Sequence, residues 1–190
     1  MLLENEIIDY DANKDDIIHW TTLKGEYRYL IIIEFLKSKN IECNWKNVTY
    51  YIKYDKRLLI NSFKYIVFLE ELYKSFIIKN KEVIQRQLIE YGFSKALEEY
   101  LSLDEKANYD EIDLELLKKY KKAIITFRNK VVHNKILLNP RYGEQNSLEN
   151  ILRVFVKILP KSYRNGFVND INSSAKGILD KSWHIELTNN

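Results

Sequence analysis

Residues 127–134 read Phe127-Arg128-Asn129-Lys130-Val131-Val132-His133-Asn134. These are side chains suited to cutting a phosphodiester. An imidazole can take or give a proton near neutral pH. A guanidinium stabilises the negative charge that builds on phosphate oxygens in the transition state. An amide can orient either partner. The competing reading is a surface arginine and a core-edge histidine that hydrogen-bond and do nothing else.

Chance seldom produces this run. With seven arginines and three histidines in 190 residues, roughly 0.1 Arg-x4-His pairs are expected, and roughly 0.01 with an asparagine next to the arginine. If the segment is helical, Asn129 and His133 share a face. Arg128 and His133 then lie roughly 140° apart around the axis. They need not touch within one helix, but could flank a groove made by two copies around a two-fold axis.

The motif sits in the most basic part of the chain. From Lys118 to Arg164 there are twelve basic residues against Glu144 and Glu149, a local net of +10 in a chain whose total is +3. The remainder therefore carries −7. Uncompensated positive charge is tolerated where a polyanion is met. Lys118, Lys119, Lys121, Lys122, Lys130, Lys135, Asn139 and Arg141 are the expected RNA contacts. A solvated, lysine-rich helix face is the plainer alternative for the 118–122 cluster. Tyr142 and Tyr163 are placed to stack on bases. The acidic run Glu98, Glu99, Asp104, Glu105, Asp110, Glu111, Asp113 and Glu115 reads as a solvated helix end and loop, or as a surface for the basic face.

Other chemistry is poorly supplied. One cysteine, Cys43, excludes an intrachain disulfide and a multi-cysteine zinc site. Three histidines do not suggest a His-rich metal centre, so no metal or cofactor is expected. His19 reads as a partly buried structural residue and His184 as a surface one. The longest apolar runs, such as Ile66-Val67-Phe68-Leu69, are too short to cross a bilayer. The first nine residues carry acids where a signal peptide needs a basic start. A cytoplasmic protein with no membrane partner is expected.

The elements that must position the motif are helices. Residues 1–139 contain no proline and two glycines, Gly25 and Gly92. Sheet proteins of this size recruit far more turn residues. The expected helices cover 15–38, 49–79, 82–102 and about 110–138, followed by a short one capped by Ser147 and a last one over 161–182. Gly25 could kink the first, and Gly92 could split the third. The second has Leu59, Phe63, Ile66, Leu69, Tyr73, Phe76 and Ile77 as its stripe. The fourth, capped near Asn108 to Asp110 and ended by Asn139-Pro140, has Leu117, Tyr120, Ile124, Phe127 and Val131. A single all-α domain over 1–190 follows, an up-and-down bundle with extra short helices.

The Arg-Asn-x3-His run resembles the signature of HEPN-domain ribonucleases, which are all-α bundles. Asn139 completes an Arg-Asn-x3-His-x5-Asn pattern that is similar to the Abi-like abortive-infection branch. Tyr54-Asp55-Lys56-Arg57-Leu58-Leu59 resembles that branch's earlier helical block, and the short helix before Pro160 also fits. The resemblance covers about residues 50–165. It implies a HEPN-like core over about 50–182, with 1–48 as an N-terminal extension. It also implies a metal-independent endoribonuclease with Arg128, Asn129 and His133 as its catalytic residues, a homodimer with both motifs at a shared cleft, and a role as a toxin or in phage defence. A toxin of this kind would have an antitoxin, protein or RNA, as a further partner. A related toxin branch carries a modifiable tyrosine two residues after the histidine. Lys135 stands there, so that control is expected to be absent.

In the catalytic reading, His133 deprotonates the ribose 2′-hydroxyl or protonates the leaving oxygen, Arg128 steadies the phosphorane, and Asn129 positions His133. The products would be a 2′,3′-cyclic phosphate and a 5′-hydroxyl, which restricts the substrate to RNA. The alternative, from a different class, is a non-catalytic helical module that binds RNA or dimerises.

Overall fold

A computed structural model describes residues 2–80, 90–103, 112–140, 147–178 and 182–188. Those residues form seven α-helices and no strand: α1 (Lys14–Lys24), α2 (Glu26–Ser38), α3 (Trp45–Asn80), α4 (Phe93–Leu101), α5 (Leu114–Val132), α6 (Leu148–Ile158) and α7 (Lys161–Ser173). The all-α expectation holds. Among the described residues, no helix is long and apolar enough to cross a membrane.

At 36 residues, α3 is about 54 Å long and is the spine of the fold. Its inward stripe of Trp45, Val48, Tyr51, Leu58, Leu59, Tyr65, Ile66, Leu69, Tyr73 and Ile77 is buried. Helices α2, α4, α5 and α7 all pack against α3, and α6 bridges α5 and α7. The core is one cluster. It includes Leu3, Ile7, Tyr29, Ile32 and Leu36 from the first 48 residues and Ile185 and Leu187 from the tail. The tail is also held by polar bonds. Tyr51 donates its hydroxyl to the Trp183 carbonyl (2.7 Å), and Ile185 N–H donates to the Tyr54 hydroxyl (2.9 Å).

Several boundaries and faces differ from the sequence expectation. Gly25, at φ 80°, does not merely kink the first helix but divides it into α1 and α2. Gly92 is the N-cap of α4, while 81–89 lie outside the described residues. The cap expected at Asn108 to Asp110 also lies outside them; the observed cap of α5 is Asp113, whose carboxylate accepts from Leu116 N–H at 2.9 Å. Ser147 caps α6 as expected.

The last helix stops at Ser173 rather than 182. Ser173 and Ser174 turn their hydroxyls back onto the Asp170 carbonyl (2.9 and 3.1 Å), competing with helical bonding. Phe63, expected in the α3 stripe, is 47% exposed, and Trp20 is 38% exposed. His19 is also exposed, lying edge-on to Trp20, rather than partly buried. Among the described residues, nothing packs over these rings fully enough to bury them.

Candidate functional site

Helix α5 brings the motif to the bundle. Leu117, Ile124, Phe127 and Val131 are buried and Tyr120 is half-buried, as the 3–4 spacing predicts. The helix does not continue to Leu138. His133 is its C-cap, and Asn134 adopts the left-handed conformation at φ 52°. Asn134 N–H donates to the Val131 carbonyl (3.2 Å) and Lys135 N–H to the Lys130 carbonyl (2.8 Å). This is a Schellman termination, which favours glycine but accepts asparagine. A second reason lies just beyond. Ile136, Leu137 and Leu138 are all buried. They leave the line of α5 as a loop and fold inward to join the core.

That loop is pinned from α3. Asp55 is 1% exposed, and its Oδ1 accepts from Leu137 N–H and Leu138 N–H at 2.8 and 2.9 Å. Its Oδ2 lies 3.8 Å from the Arg28 guanidinium. Burial raises the Asp55 carboxyl to about 6 against the pull of these donors and cations. Asn134 is gripped on the other side. Arg28 donates to its carbonyl and Lys56 to its side-chain oxygen, both at 2.9 Å. Asp55 and Lys56 belong to the Tyr54–Leu59 segment, so that segment holds the end of the motif in place.

His133 is exposed and makes no side-chain hydrogen bond to a described residue. Arg128 is the opposite case. Its Nη2 pairs with Glu70 of α3 (3.5 Å), its Nη1 donates to Asn129 Oδ1 (3.2 Å), and its guanidinium lies 5.9 Å from the centre of the Phe93 ring. Arg128 Nε is buried and finds no acceptor among the described residues. Asn129 therefore touches Arg128, not His133 as expected. Arg128 and His133 themselves do not meet within the chain.

One stripe of α3 connects the two halves. Lys56, Ile60, Phe63, Val67 and Glu70 recur at spacings of 4, 3, 4 and 3, which keeps them on one face. Lys56 holds Asn134 at one end, and Glu70 holds Arg128 at the other. Between them Ile60, Phe63 and Val67 are 60%, 47% and 36% exposed.

The expected RNA contacts are scattered. Lys118, Lys119, Lys122 and Lys135 are exposed, although Lys118 pairs with Glu115 at 3.1 Å. Lys121 is engaged by Glu98 at 2.7 Å, so part of the acidic run does meet the basic face. Lys130 is half-buried in a 170 Å³ depression with Phe127 and Leu137, and burial lowers its ammonium to about 8 despite the nearby Asp55. Asn139 is half-buried. Arg141 and Tyr142 lie outside the described residues. Tyr163 stacks on Phe68 at 3.9 Å between ring centres. His184 donates from Nδ1 to the Ser182 carbonyl (2.8 Å), and its Nε2 lies 3.2 Å from the Glu186 carboxylate, far along the chain from the motif.

A larger cleft, of about 580 Å³, escaped the sequence reading. Lys24, Arg28, Ile52, Lys53, Lys56, Arg57 and Asn134 line it. Five of the seven are cations and none is an acid. Its signal was present in part: Lys53, Lys56 and Arg57 share a helix face, while Asp55 falls at a position of the inward stripe.

No protein-family model, curated protein or solved structure matches this chain. The class that fold and site define is an all-helical bundle with an exposed histidine at a helix end beside a cationic cleft.

Proposed function

We propose that this protein is a metal-independent endoribonuclease of HEPN type that works as a homodimer, with Arg128 of one copy and His133 of the other at each site. The observation that carries the proposal is the α3 stripe. It is basic at Lys56, apolar and exposed through Ile60, Phe63 and Val67, and acidic at Glu70. Such a stripe is self-complementary. Two copies packed antiparallel about Phe63 set position 56 of one against position 70 of the other, because each lies seven residues from the centre. Lys56 then faces Glu70 across the two-fold, and the apolar middles cover each other.

The same packing carries the motif. Asn134 is bonded to Lys56, and Arg128 is paired with Glu70. His133 of one copy therefore approaches Arg128 of the other, although the two are separated within a chain. His133 acts as general base on the 2′-hydroxyl or as general acid on the leaving oxygen. Arg128, oriented by Glu70 and Asn129, stabilises the phosphorane. The Arg-Asn-x3-His resemblance supports RNA as substrate and a toxin or phage-defence role.

A second reading has an observation of its own. Within the chain Arg128 is committed to Glu70 and Asn129, as a purely structural arginine would be. This favours a non-catalytic module that binds RNA or dimerises. One experiment separates them. Purified protein is incubated with single-stranded RNA in EDTA, beside a Phe63→Glu variant. The proposal expects cleavage by a sedimenting dimer and a folded, inactive monomer from the variant. No cleavage by a confirmed dimer leaves the binding-module reading.

A further inference from the structure

The cleft of about 580 Å³ lies where α1 and α2 meet the N-terminal half of α3, outside the basic 118–164 stretch except at Asn134. Three of its cations are held by polar bonds. Arg28 is oriented by buried Asp55 (3.8 Å) and the Asn134 carbonyl (2.9 Å). Arg57 donates to the Lys176 carbonyl at 2.8 Å, and Lys56 to Asn134 Oδ1 at 2.9 Å. Lys24 and Lys53 are exposed, with their ammonium groups over the rings of Trp20 (4.3 Å) and Tyr50 (5.6 Å). Among the described residues, Asp55 is the one carboxylate paired with this set, and it is buried behind Arg28 with two backbone donors of its own. Cations held in a concave site without lining acids concentrate a positive field there.

Two exposed rings next to lining residues bear on which anion fits. Trp20 is 38% exposed beneath Lys24, and Tyr27, beside Arg28 in the chain, is 66% exposed. Exposed rings next to a row of cations are the pairing that holds a single strand, with phosphates on the cations and bases on the rings. A small inorganic anion would use the cations alone.

We propose that this cleft is a groove for single-stranded RNA. Lys24, Arg28, Lys53, Lys56 and Arg57 hold its phosphates, Trp20 and Tyr27 stack its bases, and Asn134 marks the end where the strand passes to His133. The direction of delivery rests on the ribonuclease reading; the binding itself does not.

The test uses a fluorescein-labelled 2′-O-methyl oligouridine decamer, which cannot be cut, with anisotropy read from 50 to 200 mM NaCl. Lys24→Gln, Lys53→Gln and Lys56→Gln are combined in one full-length variant and compared with wild type. The combination should weaken binding at least tenfold at 50 mM salt and lower the salt slope by roughly 2, at about 0.7 per phosphate contact on a single strand. Tyr27→Ala should weaken binding about fivefold or more without changing the slope. The corresponding Lys→Arg triple variant should bind like wild type, which shows that the Gln variant's loss is one of charge. If the Gln variant binds within twofold of wild type at an unchanged slope, the groove is refuted. Cutting of unmodified RNA is scored in parallel. A protein that cuts RNA while its Gln variant binds the decamer normally overturns the groove alone. One that binds through the cleft but never cuts upholds the groove and overturns the ribonuclease.

Discussion

Arg128 and His133 are five residues apart, yet the bundle treats them in opposite ways. Arg128 points into contacts: Glu70, Asn129 and the Phe93 ring hold it, and its Nε is buried. His133 stands exposed at the cap of α5, with no bond on its ring to a described residue. What is fixed near His133 is its support. Asp55, Arg28 and Lys56 clamp the backbone and side chain that follow it. A motif read as one unit in sequence is thus two structures, an anchored cation and an unanchored imidazole on an anchored loop. Spacing names residues able to do the chemistry, but packing decides which of them is free to meet a substrate.

The largest effect that would sharpen this contrast is on cleavage. His133→Ala should reduce it by ~10²–10⁴-fold while leaving stability unchanged, because the side chain touches little. Arg128→Ala should reduce cleavage comparably and also lower stability, since it removes a part-buried side chain held by Glu70, which keeps only Lys74 (2.9 Å), and by the Phe93 ring. Arg128→Lys should restore part of the rate, as an ammonium lacks the planar fork. Rates per folded molecule, with urea unfolding alongside, check all three. An Arg128→Ala variant that loses stability but cleaves normally would break the contrast.

Next comes the clamp. Asp55→Leu leaves two buried N–H donors without a partner and should cost roughly 2–5 kcal/mol in urea unfolding. Asp55→Asn, which keeps an acceptor, should cost less. If both variants are equally stable, the loop after His133 is not held by Asp55.

A smaller effect concerns pH. The Asp55 carboxyl is raised from 3.8 to about 6 by burial, so the folded protein binds the proton more tightly than the unfolded chain. Its contribution to stability is greatest below pH 3.8 and is lost as pH rises through 6. Measured from pH 4 to 6, the difference in unfolding free energy between wild type and Asp55→Asn should shift against wild type as pH rises. A pH-independent difference would contradict the burial argument.

The smallest expected effect is on the basic face of α5. Lys118→Gln, Lys119→Gln and Lys122→Gln together should weaken RNA binding across sequences and flatten the salt slope, but less than loss of the cleft lysines. Lys118 already spends charge on Glu115. A larger loss here than at the cleft would restore the order expected from sequence alone.

Much of this was legible before the structure. Scarce glycine and proline announced helices, and the 3–4 spacing of Leu117, Ile124, Phe127 and Val131 gave the buried face of α5. The run at 128–133 drew attention to the end of α5 that lies beside the cationic cleft. Three things were hidden. The helix end at His133 depended on Asn134 taking a left-handed conformation, while Asn139-Pro140 offered a more familiar stop. The inward turn of Asp55 is encoded by its register within the stripe, but a carboxylate there reads as surface until its partners across the chain are known. The cationic cleft gathers Lys24 and Arg28, from two helices that are each neutral in sum, with Lys53, Lys56 and Arg57 of α3. Net charge along the chain cannot register cations that folding brings together.

The most direct test mixes two dead proteins. Arg128→Ala and His133→Ala are purified separately, mixed in equal amounts, allowed to exchange subunits, and assayed on single-stranded RNA in EDTA. If each site takes Arg128 from one copy and His133 from the other, half the dimers will be mixed and each will have one intact site. Activity should then recover to about a quarter of wild type. If the mixture exchanges subunits yet stays as inactive as its components, the two residues do not act across a dimer, and the account of this site is wrong.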